Sequence, residues 1–186
     1  HFTDRGFVLW NGQTATVTRD GAEVSVPVAP HWELVGANPV EPVGGARLAH
    51  TVGYFRGNDP AKWHAGIPAY RDLRYPNILD GIELRVEGRE QGFEYSFHVQ
   101  PHAKPDLRFR YEGIAALEKS AAGDLIVRTA KGYFTESRPV SYQWIEGTRR
   151  EVESSFELVS AQEYRIAVGP YDEDHALVVD PVLDSS

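Results

Sequence analysis

Between Ile82 and Val99 the chain alternates apolar and polar residues with a period of two. Phe93, Tyr95, Phe97 and Val99 fall on one side of that rhythm, and Glu94, Ser96 and His98 on the other. A period of two belongs to a half-buried strand, not to a helix. The run Ile82-Glu83-Leu84-Arg85-Val86 keeps the same beat, and residues 87–92 break it with two glycines, so the two runs predict a hairpin. Burying each of the four apolar side chains of the second run contributes roughly 1.5–3 kcal/mol. A slip of one residue would put all four in water, which fixes the register. This hairpin predicts the centre of a core.

The rest of the chain repeats the theme at short spacing. Phe7 to Trp10, an Asn11-Gly12 turn and Gln13 to Thr18 read as a hairpin, because Asn-Gly is a strong two-residue turn signal. Arg19-Asp20-Gly21 then turns into Glu23 to Val28, for a three-strand meander. His31 to Val35 and Arg47 to Phe55 are strand candidates on either side of residues 36–45, which hold two prolines and three glycines and read as a long connection. Downstream, Leu107, Phe109 and Tyr111 alternate with Arg108 and Arg110. Val140, Tyr142 and Trp144 alternate in a later strand, and Leu177-Val178-Val179 reads as a short buried strand closed by Asp180-Pro181. No stretch carries three turns of amphipathic helix. Strands spaced 8–12 residues apart with Gly and Pro between them predict an all-β chain, a large antiparallel β-sandwich. A single domain over residues 1–186 is expected, with a possible sub-boundary near 36–46, a domain end near 183, and a super-sandwich or two stacked β-subdomains as variants.

Composition narrows the partners. The chain has 27 acidic residues against 19 Lys and Arg, a formal charge of −8, which disfavours nucleic acid and an anionic membrane surface. It has no cysteine, so disulfides and thiolate chemistry are excluded. No run of 18 apolar residues exists, so membrane insertion by a helix is not expected. Nothing at the amino end looks like a signal peptide, and the start at His1 reads as that of an excised or processed piece.

The run Val52-Gly53-Tyr54-Phe55-Arg56-Gly57-Asn58-Asp59-Pro60-Ala61-Lys62-Trp63, followed by Ile67-Pro68-Ala69-Tyr70, resembles a known family. It is similar to the amino-terminal domain that precedes SBBP (β-propeller) repeats in secreted bacterial surface proteins. Leu34-Val35-Gly36-Ala37-Asn38-Pro39, Gly81-Ile82-Glu83-Leu84, Phe93-Glu94-Tyr95-Ser96-Phe97 and Gly123-Asp124-Leu125-Ile126-Val127 match in order. So do Pro139-Val140-Ser141-Tyr142-Gln143, Val168-Gly169-Pro170-Tyr171-Asp172 and the closing Leu177 to Leu183. Asp80, Val86-Glu87-Gly88 and His102 depart from the pattern. The resemblance implies an extracellular or cell-surface setting, with repeat domains of the same chain as neighbours, and it carries over no catalytic residue.

Three groups of residues remain as site candidates. Asn58 to His64 gathers polar, aromatic and imidazole groups in a loop, where binding residues concentrate. Trp63 would lie against a sugar face while Asp59 and Lys62 hydrogen-bond its hydroxyls, with His64 beside them. The plain alternative is an Asp-capped turn with Pro60 at its first position and Trp63 plugged into the end of the sandwich. Glu83 and Glu94 lie on facing strands of the central hairpin, the residue types of a glycosidase pair, though outward-facing glutamates are ordinarily solvated. Asp172-Glu173-Asp174-His175 is the densest oxygen cluster, with Asp172 and Asp174 as possible calcium ligands, but calcium takes six to eight oxygens and this run supplies few. His50, His64, His98 and His102 read as surface or turn residues. Trp10, Trp32 and Trp63 lie in or near turns, where one or two would form an exposed patch. No nucleophile elbow, phosphate loop or dinucleotide fingerprint occurs. The expected role is a non-catalytic module in adhesion, ligand binding or capping of following repeats, with carbohydrate or a cell-surface protein as partner. The alternative is a carbohydrate-active enzyme using Glu83 and Glu94.

Overall fold

The computed structural model describes the backbone of residues 6–8, 14–19, 22–27, 30–55, 57–89, 92–130 and 132–184, and side chains within 30–181 apart from 56, 89–93 and 131. The order begins with strands β1 (Gly6–Val8), β2 (Thr14–Arg19), β3 (Ala22–Pro27), β4 (His31–Leu34), β5 (Val43–Gly44) and β6 (Arg47–Tyr54). A 3-10 turn at Pro60–Lys62 leads to β7 (His64–Tyr70), β8 (Asp72–Leu79), β9 (Ile82–Arg89), β10 (Gly92–Val99), β11 (Leu107–Glu112) and β12 (Ala116–Lys119). The remainder are β13 (Leu125–Thr129), β14 (Gly132–Ile145), β15 (Thr148–Val152), β16 (Ser154–Leu158), β17 (Glu163–Val168) and β18 (Leu177–Asp184).

Two large antiparallel sheets carry the body. A five-stranded sheet runs β1-β4-β11-β17-β16, and a nine-stranded sheet runs β12-β13-β14-β18-β10-β9-β8-β5, with β15 pairing β14 beside β13. Their apolar faces meet: Trp32 of the first sheet packs edge-on against Tyr95 of the second, and Phe109 tilts against Phe97. The fold is an all-β, antiparallel sandwich, as the strand spacing predicted. One cluster of buried side chains extends from Trp32 to Val179 and crosses the 36–45 connection, whose Ala37 and Val40 pack against it.

The central hairpin holds its expected register. Val99 opposes Ile82, Phe97 opposes Leu84 and Tyr95 opposes Val86, and all six are buried. The side chain of Phe93 lies outside the described residues. β9 does not break at Glu87 but continues to Arg89, because the amide of Gly88 bonds the carbonyl of Arg71 and keeps the strand within the sheet. At the amino end β1 pairs β4, while β2 and β3 pair with each other, so the expected meander is split. The Asn11-Gly12 turn and Trp10 lie outside the described residues.

β14 departs from its sequence pattern. Phe134 and Glu136 point inward, but then the register with β18 shifts between Ser137 and Val140. A bulge inserts residues and reverses which side chains face the core. Beyond it Ser141, Gln143 and Ile145 are buried, while Val140 and Trp144 face solvent. The apolar alternation of Val140, Tyr142 and Trp144 therefore lines the outer face. Arg149 covers Tyr142, its guanidinium 4.2 Å from the ring centre. Proline cannot donate to a ladder, and the bulge takes two of them: Pro139 on β14 and Pro181 on β18, both buried and without a paired register position. That is why β18 runs on to Asp184 instead of closing at Asp180-Pro181.

Candidate functional site

One ribbon stands apart from both sheets. β6 and β7 pair only with each other, and nearly every side chain along them is exposed. Val52 opposes Ile67 and Tyr54 opposes His64, with a one-residue bulge between these pairs. Gly66 in that bulge has φ +70, a left-handed backbone that glycine adopts without strain. At the base, the ring of Tyr70 lies so close over Gly44 that a β-carbon there would collide with it, which anchors the ribbon to β5. Val52, Tyr54, Phe55, Trp63, Ile67 and Tyr70 are all solvent-exposed.

The tip of this arm holds the residues singled out in the sequence. Asp59 caps the 3-10 turn, its Oδ1 accepting the amide of Ala61 at 3.1 Å, with Pro60 at the first position. Lys62 Nζ lies 3.5 Å from Asp59 Oδ2, an exposed pair worth about 0–1 kcal/mol. Trp63 is 43% exposed and is not plugged into the sandwich. Its indole Nε1 donates to the carbonyl of Gly57 at 3.1 Å, and its ring meets Phe55 edge-to-face at 5.8 Å. Phe55 is 63% exposed. The turn thus fixes the indole and holds two aromatic rings in water, with the Asp59–Lys62 pair on the same turn and His64 the next residue along the chain, opposite Tyr54.

The other candidates separate. Register sets Glu83 opposite His98 and Glu94 opposite Glu87. The two glutamates are four positions apart along the hairpin, roughly 13 Å at 3.3 Å per residue. Glycosidase pairs hold their carboxyl groups about 5–9.5 Å apart, so these two side chains would have to lean toward each other along the strands to reach that spacing. Glu83 is tied to the guanidinium of Arg85. His98 is half-buried rather than a surface residue: burial, helped by Arg85, holds its imidazole down at about 4, and its Nε2 lies 3.1 Å from Ser96 Oγ.

In the 172–175 turn, Asp172 Oδ1 accepts the amide of Asp174 at 3.0 Å, and Asp172 Oδ2 lies 3.0 Å from His175 Nδ1, out of line for a hydrogen bond. Glu173 pairs with Lys104 at 3.1 Å, and Asp174 lies 3.6 Å from His102. These carboxylates turn toward separate neighbours. Among the described residues no group of three or more His, Cys, Asp or Glu converges as a metal site requires. Buried Gln143 holds the turn instead: its Nε2 donates to the carbonyls of Asp172 and His175 at 2.7 and 3.0 Å, and its Oε1 accepts the amide of Asp172 at 2.9 Å.

One group went unread in the sequence. Glu136 is fully buried between the sheets. Tyr95 donates to its Oε2 at 2.9 Å and Tyr111 to its Oε1 at 2.5 Å, while Tyr164 lies 3.3 Å from Oε2. Tyr164 in turn accepts the indole N–H of Trp32 at 3.0 Å, so Trp32 is a core residue and not part of an exposed patch. Burial raises the Glu136 carboxyl above its ordinary range, and the three hydroxyls pull it back in part. Burial and the nearby Glu136 charge push all three tyrosines well above theirs, so they remain donors. The available signal was Phe134 and Glu136 alternating within one strand, which places a carboxylate on an apolar face.

A family model described as a domain of unknown function, DUF7948, matches residues 5–182. The chain belongs to the DUF7948 family. No curated protein and no solved structure matches it. In this DUF7948 chain the buried carboxylate and the aromatic arm are chemically opposite resources. Glu136 is sealed from any solute and acts on the fold. The arm tip touches water and has a fixed ring face, a flexible ammonium and an imidazole to offer a ligand. No helix among the described residues is long and apolar enough to cross a membrane.

Proposed function

We propose that this DUF7948 domain is a non-catalytic binding module of a secreted or surface-attached bacterial multidomain protein, and that the tip of its β6–β7 arm makes the contact. The observation that carries this reading is the Phe55–Trp63 pair, held edge-to-face in solvent by the indole bond to Gly57. Contiguous exposed aromatic surface is costly to keep in water, and a patch of it marks a candidate interaction site. A ring locked before binding loses little entropy when a partner arrives. The partner classes that suit it are a carbohydrate, whose apolar ring face stacks on indole while Asp59, Lys62 and His64 meet its hydroxyls, or a cell-surface protein. The net charge of −8 argues against nucleic acid. The surface setting, and a position ahead of SBBP repeats that the domain would cap, rest on the sequence resemblance.

The test is binding of the tagged domain to a glycan array, in calcium and again in chelator, with Trp63→Ala alongside. Chelator-insensitive binding that falls at least ~30-fold in Trp63→Ala, the effect of losing about 2 kcal/mol at an aromatic hot spot, supports the arm tip. Chelator-sensitive binding returns attention to Asp172 and Asp174. Absence of any glycan signal removes carbohydrate recognition and leaves a protein partner to be sought.

A further inference from the structure

Charge divides unevenly between the arm and the body. The whole chain holds 27 acidic residues against 19 Lys and Arg, yet its stretch from Arg47 to Arg71 holds Arg47, Arg56, Lys62 and Arg71 against the single acid Asp59. In the body, cations are matched locally: Arg74, Arg85, Lys104, Arg110, Arg128 and Arg165 each lie within 3.2 Å of a carboxylate. The arm differs. Arg47 and Arg71 are exposed and pair with no carboxylate among the described residues. Asp59 is occupied as the cap of the turn, and Lys62, its side chain 76% exposed, comes no closer to it than 3.5 Å. An exposed pair of that length is weak, so the ammonium is available to an outside anion.

These cations stand at the two ends of the ribbon. Arg47 and Arg71 mark the base, where Arg47 opposes Tyr70 and the Arg71 amide bonds the carbonyl of Ala46. Lys62 stands on the turn at the tip. No Lys or Arg falls between Arg47 and Arg56 or between Lys62 and Arg71. β7 covers that interval and spans at most about 20 Å at roughly 3.3 Å per residue. Exposed apolar and aromatic side chains fill it: Val52, Tyr54, Ile67 and Tyr70, with Phe55 and Trp63 at the tip. A nucleic-acid strand carries a phosphate about every 3.4 Å of its helix, far denser than these cations. An anionic bilayer is denser still, and the Asp59 carboxylate at the tip is costly to push into lipid. A sugar chain with carboxylates set between neutral rings matches both features. Its apolar ring faces suit the aromatics, and a guanidinium fork binds a planar carboxylate bidentately. The excess acid of the body repels such a chain elsewhere.

We propose that the arm binds an acidic carbohydrate, a sugar chain whose carboxylate-bearing units are separated by neutral ones. Phe55 and Trp63 take the ring faces, and Arg47, Arg71 and Lys62 take the carboxylates. The inference rests on the arm being a carbohydrate site and adds the charge of its ligand and the part played by the base.

The test is calorimetric titration of the whole chain, in chelator, with fragments of hyaluronate and of gellan, each beside its carboxyl-reduced form. At least one acidic fragment is expected to bind about tenfold or more tighter than its reduced form, the effect of losing a hydrogen bond to a charged group. Replacing both base arginines, Arg47→Gln with Arg71→Gln, is expected to weaken the acidic fragment by a similar factor. Lys119→Gln, which removes an exposed cation from the body, is expected to leave it unchanged. Binding is also expected to weaken as salt rises from about 50 to about 500 mM, because exposed charges are screened. Acidic and reduced forms bound equally, and both lost in Trp63→Ala, would keep the arm as a carbohydrate site and overturn its acidic ligand. Binding of neither form overturns both readings. Tighter binding of phosphatidylglycerol vesicles or of a poly-thymidine strand overturns the carbohydrate. An equal loss in Lys119→Gln and in the double arginine variant overturns the site, because it reports net charge alone.

Discussion

Truncating Glu136 to alanine leaves the hydroxyls of Tyr95, Tyr111 and Tyr164 facing a cavity in a dry core. An orphaned buried hydroxyl costs about 1–3 kcal/mol and a cavity adds to that, so Glu136→Ala should lose about 3 kcal/mol or more. Urea unfolding at pH 7 reads it, and Glu136→Gln, which keeps an acceptor oxygen in place, should lose much less. Trp63→Ala should sit at the other extreme. Its ring touches Phe55 but no core residue, so stability should stay within about 0.5 kcal/mol while binding fails. These two residues also mark the limits of reading a sequence. Asp59, Lys62, Trp63 and His64 are neighbours in the chain, so their shared loop was visible at once. The partners of Glu136 come from positions 95, 111 and 164 and meet only through sheet pairing. A lone glutamate in an alternating strand gives no sign of three distant hydroxyls converging on it.

Strands were legible where alternation is strict and misleading where a bulge interrupts it. β9 and β10 keep one register for eight residues, so their inward set matched the apolar set. In β14 the shift at Pro139 reverses the faces, and the polar residues Ser141 and Gln143 become the buried ones. Gln143 supplies the compensation by holding the 172–176 segment through hydrogen bonds to three backbone carbonyls and one amide. Gln143→Ala should destabilise by about 1–3 kcal/mol and speed amide exchange at Asp172 before exchange in the sheets is affected. Trp144→Thr is the matched control. Trp144 is 58% exposed on the outer face of the same strand, and its replacement by a β-branched residue should change stability by less than about 0.5 kcal/mol.

At the level of the whole molecule the all-β class followed from turn spacing, but strand order did not. Alternation says that a strand is half-buried, not which strand lies next to it. The pairings β1 with β4, β10 with β18 and β11 with β17 join segments far apart in the chain, and nothing local encodes them. The same gap hid the arm: β6 and β7 read as ordinary strands, and only the topology leaves them outside both sheets. Two-stranded ribbons contribute little to stability by themselves. The core cluster contains no residue between Val40 and Leu73, so the sandwich should stand without the arm. Arg47 and Tyr70 face each other at its base, close enough for a two-residue turn to join them. Thermal unfolding of a chain with residues 48–69 replaced by Asn-Gly tests this directly. The account predicts one cooperative transition within about 4 °C of the full chain, equivalent to roughly 1 kcal/mol. A broadened or lost transition would contradict it, and would make the aromatic arm a structural part of the fold instead of a surface held out for a partner.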